Sequence, residues 1–383
     1  MSGRLLHWVC TGAVIGTLLT TTPTAHAEPR PEGRPVSTLL TDLQRLYRAA
    51  EEATETYNAT EEKLKKQRAT TAGLEKRLAK ARASVRDSRG AAGRFARQQY
   101  QGTTDLSPYL RLLLARDPQR ALDQGHVIQQ AAKDRAATVD RLVGGERKAD
   151  RLASAAKKAL DAQLALAARQ KKQRDAVEKQ LREVQELLSA LTPEQLVALR
   201  QAEDAGTARA QRRFMGSGAL SGSPATRAPS RRGNTALDYA VRQIGRPYKW
   251  GAEGPKAFDC SGLTQRAWAR AGRRIPRTSQ EQWAELRRIP LGKLRPGDLV
   301  VYFPKATHVA MYLGEGKVVQ APRPGARVKV SPIAANPVLG AVRPDPKGRA
   351  FQGYTPPKLP EGATSGSDLG YDGGQAPGAT DAR

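Results

Sequence analysis

Cysteine is nearly absent from this chain: two in 383 residues, Cys10 and Cys260. Histidine is scarce as well, with four, and aromatic residues make up only 5%. Acidic side chains fall far short of basic ones, 37 Asp and Glu against 64 Lys and Arg, for a formal charge of +27. So few thiols and imidazoles exclude a disulfide-stapled or zinc-ligating scaffold, and no metal or other cofactor is expected. An apolar content of 39% leaves part of the length outside any compact core, which suggests two or three structural units. The charge excess calls for anionic partners.

The first 27 residues narrow that choice. Arg4 precedes an apolar run from Leu5 to Leu19, and Ala25-His26-Ala27 offers an A-x-A cleavage site, the pattern of a secretory signal peptide. The run is shorter than the roughly 20 residues a membrane span needs. Cys10 lies inside the run and not after it, which argues against a lipoprotein signal. Cleavage after Ala27 removes Cys10, His7 and His26 and leaves Cys260, His126 and His308. The expectation is a secreted, extracellular, wall-associated protein without disulfides. Export argues against nucleic acid as the partner and for anionic wall polymers or phospholipid headgroups.

Residues 28–36 are Pro-rich and polar, a flexible start. From Ser37 the composition shifts to Ala, Glu, Lys, Arg, Gln and Leu, which favours long helices. Leu39, Leu43, Leu46, Ala50, Ala53 and Tyr57 step by fours and threes, and Leu64, Leu74, Leu78, Ala81 and Val85 continue the register. This is a heptad seam, interrupted by Thr60, Gln67 and Thr71. Residues 101–125 carry Gly102, Pro108, Pro118 and Gly125 around a short apolar insert, which suits two short helices at a hairpin tip. A second helical run spans Val127 to about Ala190, with an irregularity expected at Gly144-Gly145. Thr192-Pro193-Glu194-Gln195 carries an N-cap, a Pro in the first turn and a capping-box Gln. Residues 37–208 are therefore read as an antiparallel coiled-coil hairpin.

Residues 209–233, rich in Gly, Ser, Pro, Ala and Arg, read as a linker. The second folded unit spans 234–350. It opens on an amphipathic helix at 236–244 and a helix starting near Cys260. Short strands follow at 299–303, 308–313, 317–321, 327–330 and 339–342, with Gly314-Glu315-Gly316 as a hairpin turn. Helices followed by an antiparallel sheet make an α+β layout. Residues 351–383, with scarcely any large apolar side chain, read as a disordered tail.

Phe258-Asp259-Cys260-Ser261-Gly262-Leu263 places a lone thiol at a helix N-terminus, where unpaired N–H groups favour its ionisation. A buried structural cysteine is the alternative. A nucleophilic thiol needs a base and a group to orient that base. His308 is the only histidine of the second unit, and Gln320, across the Gly314–Gly316 turn, lies at an even spacing that allows a shared face. By count, residues 234–351 carry 21 Lys and Arg against 8 Asp and Glu, a net of +13 for this unit alone.

Six ordered motifs carry a resemblance: Gly245-Arg246-Pro247-Tyr248-Lys249-Trp250-Gly251, the Phe258–Leu263 stretch, Ile275-Pro276-Arg277-Thr278-Ser279-Gln280, Leu294-Arg295-Pro296-Gly297-Asp298-Leu299, His308–Gly314 and Val319-Gln320-Ala321-Pro322. Together they resemble the NlpC/p-sixty family of bacterial cell-wall cysteine endopeptidases. The resemblance implies a papain-like catalytic domain and cleavage of peptidoglycan stem peptides, usually between D-γ-glutamyl and a diamino acid. It also implies roles: Cys260 as nucleophile, His308 as general base, Gln320 in the third, orienting position, and Tyr248, Asp259 and Ser261 lining the substrate cleft. A neutral amide in the third position orients the imidazole without adding negative charge. Trp250 is assigned mainly to packing, and the Cys260 N–H is a candidate oxyanion donor.

Two other readings stand beside it: an amidase or acyltransferase of the same fold, and a non-catalytic wall-binding scaffold. The hairpin has three candidate roles. It could occlude the cleft, engage a membrane partner at the division site, or set distance from the membrane.

Overall fold

The computed structural model describes residues 34–101, 118–221, 228–366 and 368. The expected signal peptide, most of the flexible start and residues 102–117 of the expected hairpin tip lie outside these residues. Residues 118–125, also read as part of that tip, are instead the first turns of the second long helix, which passes through Gly125. Helix α1 runs from Val36 to Gln101 and α2 from Pro118 to Ser189. At 1.5 Å per residue each is about 100 Å long. Gln67 donates to the Ala159 carbonyl and Arg89 pairs with Glu146, so later residues of α1 face earlier residues of α2 and the helices are antiparallel.

Leu39, Leu43, Leu46, Leu64, Ala81 and Val85 are buried along the seam, with Val177, Val184 and Leu191 opposite. Thr60 and Thr71, read as interruptions, are buried in it too. No irregularity occurs at Gly144-Gly145: α2 passes through both as continuous helix. A Cβ on Gly145 would lie 3.2 Å from Val85 Cγ2, so this glycine lets the two helices approach closely. Thr192 caps α3 (Pro193–Gly216) with the full capping box.

Helix α3 overruns the start of the expected linker. Its last turns dock on the sheet domain: Gln211 donates to the Gly316 carbonyl (2.9 Å) and accepts from the Ala334 N–H (3.1 Å), while Phe214 packs on a buried cluster. The second unit then begins at Ser230, which caps α4 (Arg231–Val241), four residues ahead of the expected start at 234. It continues through α5 (Cys260–Arg270), α6 (Ser279–Glu285) and six strands: β1 (Arg287–Ile289), β2 (Leu299–Tyr302), β3 (His308–Gly314), β4 (Lys317–Gln320), β5 (Lys329–Pro332) and β6 (Val338–Arg343).

The sheet is antiparallel, in the order β1-β6-β2-β3-β4-β5. Leu299, Val301, Val309, Met311 and Val319 pack with Leu237, Leu263 and Trp268 of α4 and α5. The alternate residues Val300, Tyr302, Ala310, Tyr312 and Val318 pack with Phe214 and Leu220. Helices thus cover one face and the end of α3 the other. At β2 and β3 both faces are buried, which fixes the register of β3 and the residue at its head.

The described part of the tail, 351–366 and 368, departs from expectation. Phe351 N–H donates to Pro229, Val330 N–H to the Ala363 carbonyl, and Ser331 to Asp368. Ala363 is buried. An edge strand offers unpaired backbone groups to any extended chain, and β5 uses this one although its composition is polar and Gly/Pro-rich.

Candidate active site

Cys260 occupies the first position of α5, and Asp259 is the N-cap, its Oδ1 accepting from the Gly262 N–H at 2.6 Å. Arg277 grips the same carboxylate with two nitrogens, at 3.1 and 2.7 Å, and adds a 2.9 Å bond to Ser261 Oγ. A Cβ on Gly262 would fall 2.3 Å from the Ala252 carbonyl oxygen, so only glycine lets this turn close against the preceding loop. Asp259 is fully buried and its oxygens are occupied by protein donors. The structure gives it a capping and ion-pairing task.

His308 stands at the head of β3. Its Nε2 lies 2.7 Å from Gln320 Oε1. A carbonyl oxygen only accepts, so Nε2 carries the proton and Nδ1 presents a lone pair. Nδ1 has no hydrogen-bond partner among the described residues. The His308–Gln320 pair anticipated from spacing is therefore formed, with the tautomer a base requires. Tyr248 is buried in the same cluster as Cys260, and its phenol is pushed well above its usual pKa, first by burial and then by Cys260.

Residues of α1 that the sequence did not single out fill the space in front of these groups. Glu55 of α1 accepts a 2.7 Å bond from Ser261 Oγ with one oxygen and a 2.7 Å bond from the Ser279 N–H with the other. Cys260 Sγ lies 3.7 Å from the first of these oxygens. One turn earlier, Glu51 Oε1 is 3.6 Å from His308 Nδ1. One turn later, Asn58 donates to Asp259 Oδ2 at 3.1 Å. Tyr57 packs edge-on against Trp250 at 5.1 Å, and Tyr47 lies under the Arg323 guanidinium at 4.9 Å. Glu51, Glu55 and Asn58 are all at most 4% exposed, and the thiol is 2% exposed.

The electrostatics follow from this burial. The Cys260 thiol is pushed well above its usual range, first by burial and then by Glu55, Asp259 and Glu51. The expected effect of the helix N-terminus is thus overridden, because the dipole of one helix cannot offset dehydration and three nearby carboxyls. Burial lowers His308 to about 4. Burial raises Glu51 to about 8, opposed by Arg323, and Glu55 to about 7. The thiol and the imidazole are both neutral in this arrangement.

Of the site residues expected from sequence, Tyr248, Asp259, Cys260 and Ser261 gather at the start of α5, and His308 and Gln320 pair on the sheet. Sequence reasoning missed Glu51, Glu55, Asn58, Ser279 and Arg323. The only signal for the first three was their spacing of four and three, which on a helix places polar residues on one stripe beside the apolar seam.

A model of the NlpC/P60 family matches residues 245–340. A probable endopeptidase of Corynebacterium glutamicum is 48% identical over 89 residues, which cover 23% of this chain and 43% of that protein. The peptidoglycan endopeptidase RipA of Mycolicibacterium smegmatis is 41% identical over 119 residues, covering 26% of this chain and 24% of RipA. The chain thus spans less than half the length of these curated relatives. Among solved structures, the NlpC/p60 domain of the peptidoglycan hydrolase SagA is 33% identical and 97% covered, over 29% of this chain, with a TM-score of 0.28. RipD of Mycobacterium tuberculosis, described as a non-catalytic NlpC/p60 domain protein adapted to peptidoglycan binding, is 32% identical and 98% covered, over 30% of this chain, with a TM-score of 0.27.

Proposed function

The chain belongs to the NlpC/P60 family through its C-terminal domain, and from that premise we propose that it is a secreted thiol endopeptidase of peptidoglycan stem peptides held shut by its own first helix. The observation that carries this is the Glu51–Glu55–Asn58 stripe seated on His308, Ser261 and Asp259. A non-catalytic scaffold has no need to bury a thiol and an imidazole beneath carboxylates of its own chain. The protonated Nε2 held by Gln320 likewise supports a base at Nδ1.

With α1 withdrawn, water enters, the burial that raises the thiol and lowers the imidazole is relieved, and the proton passes from Cys260 to His308 Nδ1. The thiolate attacks the acyl carbon of the D-γ-glutamyl–diamino acid bond. The carbon–nitrogen bond breaks as the imidazolium returns its proton to the departing amine, leaving a thioester on Cys260. Water, deprotonated by His308, then cleaves the thioester and restores the thiol. The Cys260 N–H at the helix start is positioned to stabilise the oxyanion.

Outside the cell the basic excess of the chain, +27 over the full sequence, favours retention on anionic wall polymers. Mass spectrometry of purified walls after incubation with the full chain tests the reading. New termini at the glutamyl–diamino acid bond, lost in Cys260→Ala with an unchanged melting curve, are expected. Cleavage at the sugar–peptide amide would indicate an amidase, and retained cleavage by Cys260→Ala would end the thiol mechanism.

A further inference from the structure

Arg323 lies three residues beyond Gln320, on the loop that leaves β4. It is 6% exposed, yet it forms no ion pair among the described residues and its Nε has no hydrogen-bond partner. A buried guanidinium outside ion-pair distance of a carboxylate is costly, even though the buried carboxyls Glu51 and Glu203 line one cavity with it. Its burial comes from α1: the guanidinium carbon sits over the Tyr47 ring, and Glu51, one turn on, is also buried with Oε2 unpartnered. Glu51, whose Oε1 is 3.6 Å from His308 Nδ1, lines that cavity with Arg323, which puts the guanidinium on the imidazole's side of the cleft. The cavity, of about 600 Å³, is also lined by Tyr47, Phe303 and Pro337. Withdrawal of α1 would leave Arg323 open on the cleft floor beside His308.

The two glutamates of α1 divide the cleft. Glu55 touches Cys260, Ser261 and the Ser279 N–H, the groups around the attacking sulfur. Glu51 touches His308, the group that delivers a proton to the leaving amine. Groups beside the imidazole therefore adjoin the half of the substrate that departs. We infer that Arg323 is the specificity-determining residue for that half, binding a free carboxylate on the amine-bearing residue of the stem peptide. In the closed chain Tyr47 and Glu51 occupy its place. A planar, permanently charged fork suits a carboxylate and not its amide. The assignment rests on the endopeptidase reading above and deepens it.

The test uses the full chain carrying Glu51→Lys and Glu55→Lys, which sets cations against Arg323 and Arg277. Alkylation of Cys260 by iodoacetamide reports whether the cleft has opened. The probes are L-Ala–γ-D-Glu–diaminopimelate and the same peptide amidated on its diaminopimelate carboxylates. In the opened chain, KM for the amide is expected to exceed that for the acid by about 10- to 100-fold, with little change in kcat. Arg323→Gln should erase the difference, and Arg323→Lys should keep part of it. Binding of the two peptides to the Cys260→Ala form of each chain gives the same comparison where turnover is slow. Fast alkylation with equal KM values, or with discrimination that survives Arg323→Gln, would overturn this inference alone. Alkylation as slow as in the wild-type chain would overturn the occlusion reading, and the inference with it.

Discussion

Replacing Glu55 by alanine is the sharpest probe of the closed state. The substitution removes two short hydrogen bonds to a buried carboxyl, from Ser261 Oγ and the Ser279 N–H. Bonds of this kind contribute about 1.5–3 kcal/mol each when the acceptor is charged. Ser261 retains Arg277 at 2.9 Å, and burial holds the Glu55 carboxyl partly protonated, so each bond falls between the neutral and charged cases, at about 1–1.5 kcal/mol. Docking should weaken by about 2–3 kcal/mol, or about 30- to 150-fold in the closed-to-open ratio. Because the thiol is 2% exposed, iodoacetamide reaches it only through opening, and the alkylation rate follows the open fraction. Glu55→Ala should therefore be alkylated about 30- to 150-fold faster than wild type. Asn58→Ala, which loses one 3.1 Å bond, should gain only about 3- to 10-fold. An unchanged rate in Glu55→Ala, or an increase matched by an equal loss of global stability, would refute the reasoning.

Two further outcomes follow from the same contacts. Glu51 has its pKa raised to about 8 when docked, facing Arg323, Arg48, Glu55 and His308, so the closed state holds a proton that the open state releases. The Glu51 contribution to closure is then full below the ordinary carboxylate pKa near 4.5 and weakens as pH rises through about 8. His308, lowered to about 4 when docked, opposes closure as pH falls below its ordinary 6.5. Alkylation rates, corrected for thiolate fraction, should rise across that window, and Glu51→Gln, which mimics the protonated acid, should flatten the rise. Gln320→Glu places a charge on His308 Nε2, and in the opened chain it should raise the imidazole pKa by about one unit or more, read by NMR titration.

What the sequence disclosed divides along physical lines. The sheet domain was legible because its signals are local: alternating strands at 299–313, a Gly-centred turn, a capped helix start at Cys260. The His308–Gln320 pair was legible because hairpin register follows from turn length. The edge strand Arg287–Ile289 was not, since two arginines carry no apolar pattern and its pairing comes from β6. Nor was the task of Glu51, Glu55 and Asn58. On a long helix such residues resemble a solvated face, and the partners that bury them lie some 200 residues away in the chain. The raised pKa of Cys260 in the closed chain was hidden for the same reason, because local helix geometry says nothing about a distant carboxylate.

The length of α1 acquires a mechanical meaning once its seat is known. The contacts that cover the thiol fall between Tyr47 and Asn58, while the helix continues to Gln101, about 70 Å beyond Glu55. Helix α3, pinned to the sheet through Gln211 and Phe214, anchors the near end. The arrangement is a lever with a short inner arm and a long outer one. A sideways load at the far end reaches the glutamates multiplied by the ratio of the arms, so a weak tether there can lift what a direct competitor at the cleft would have to displace bond by bond.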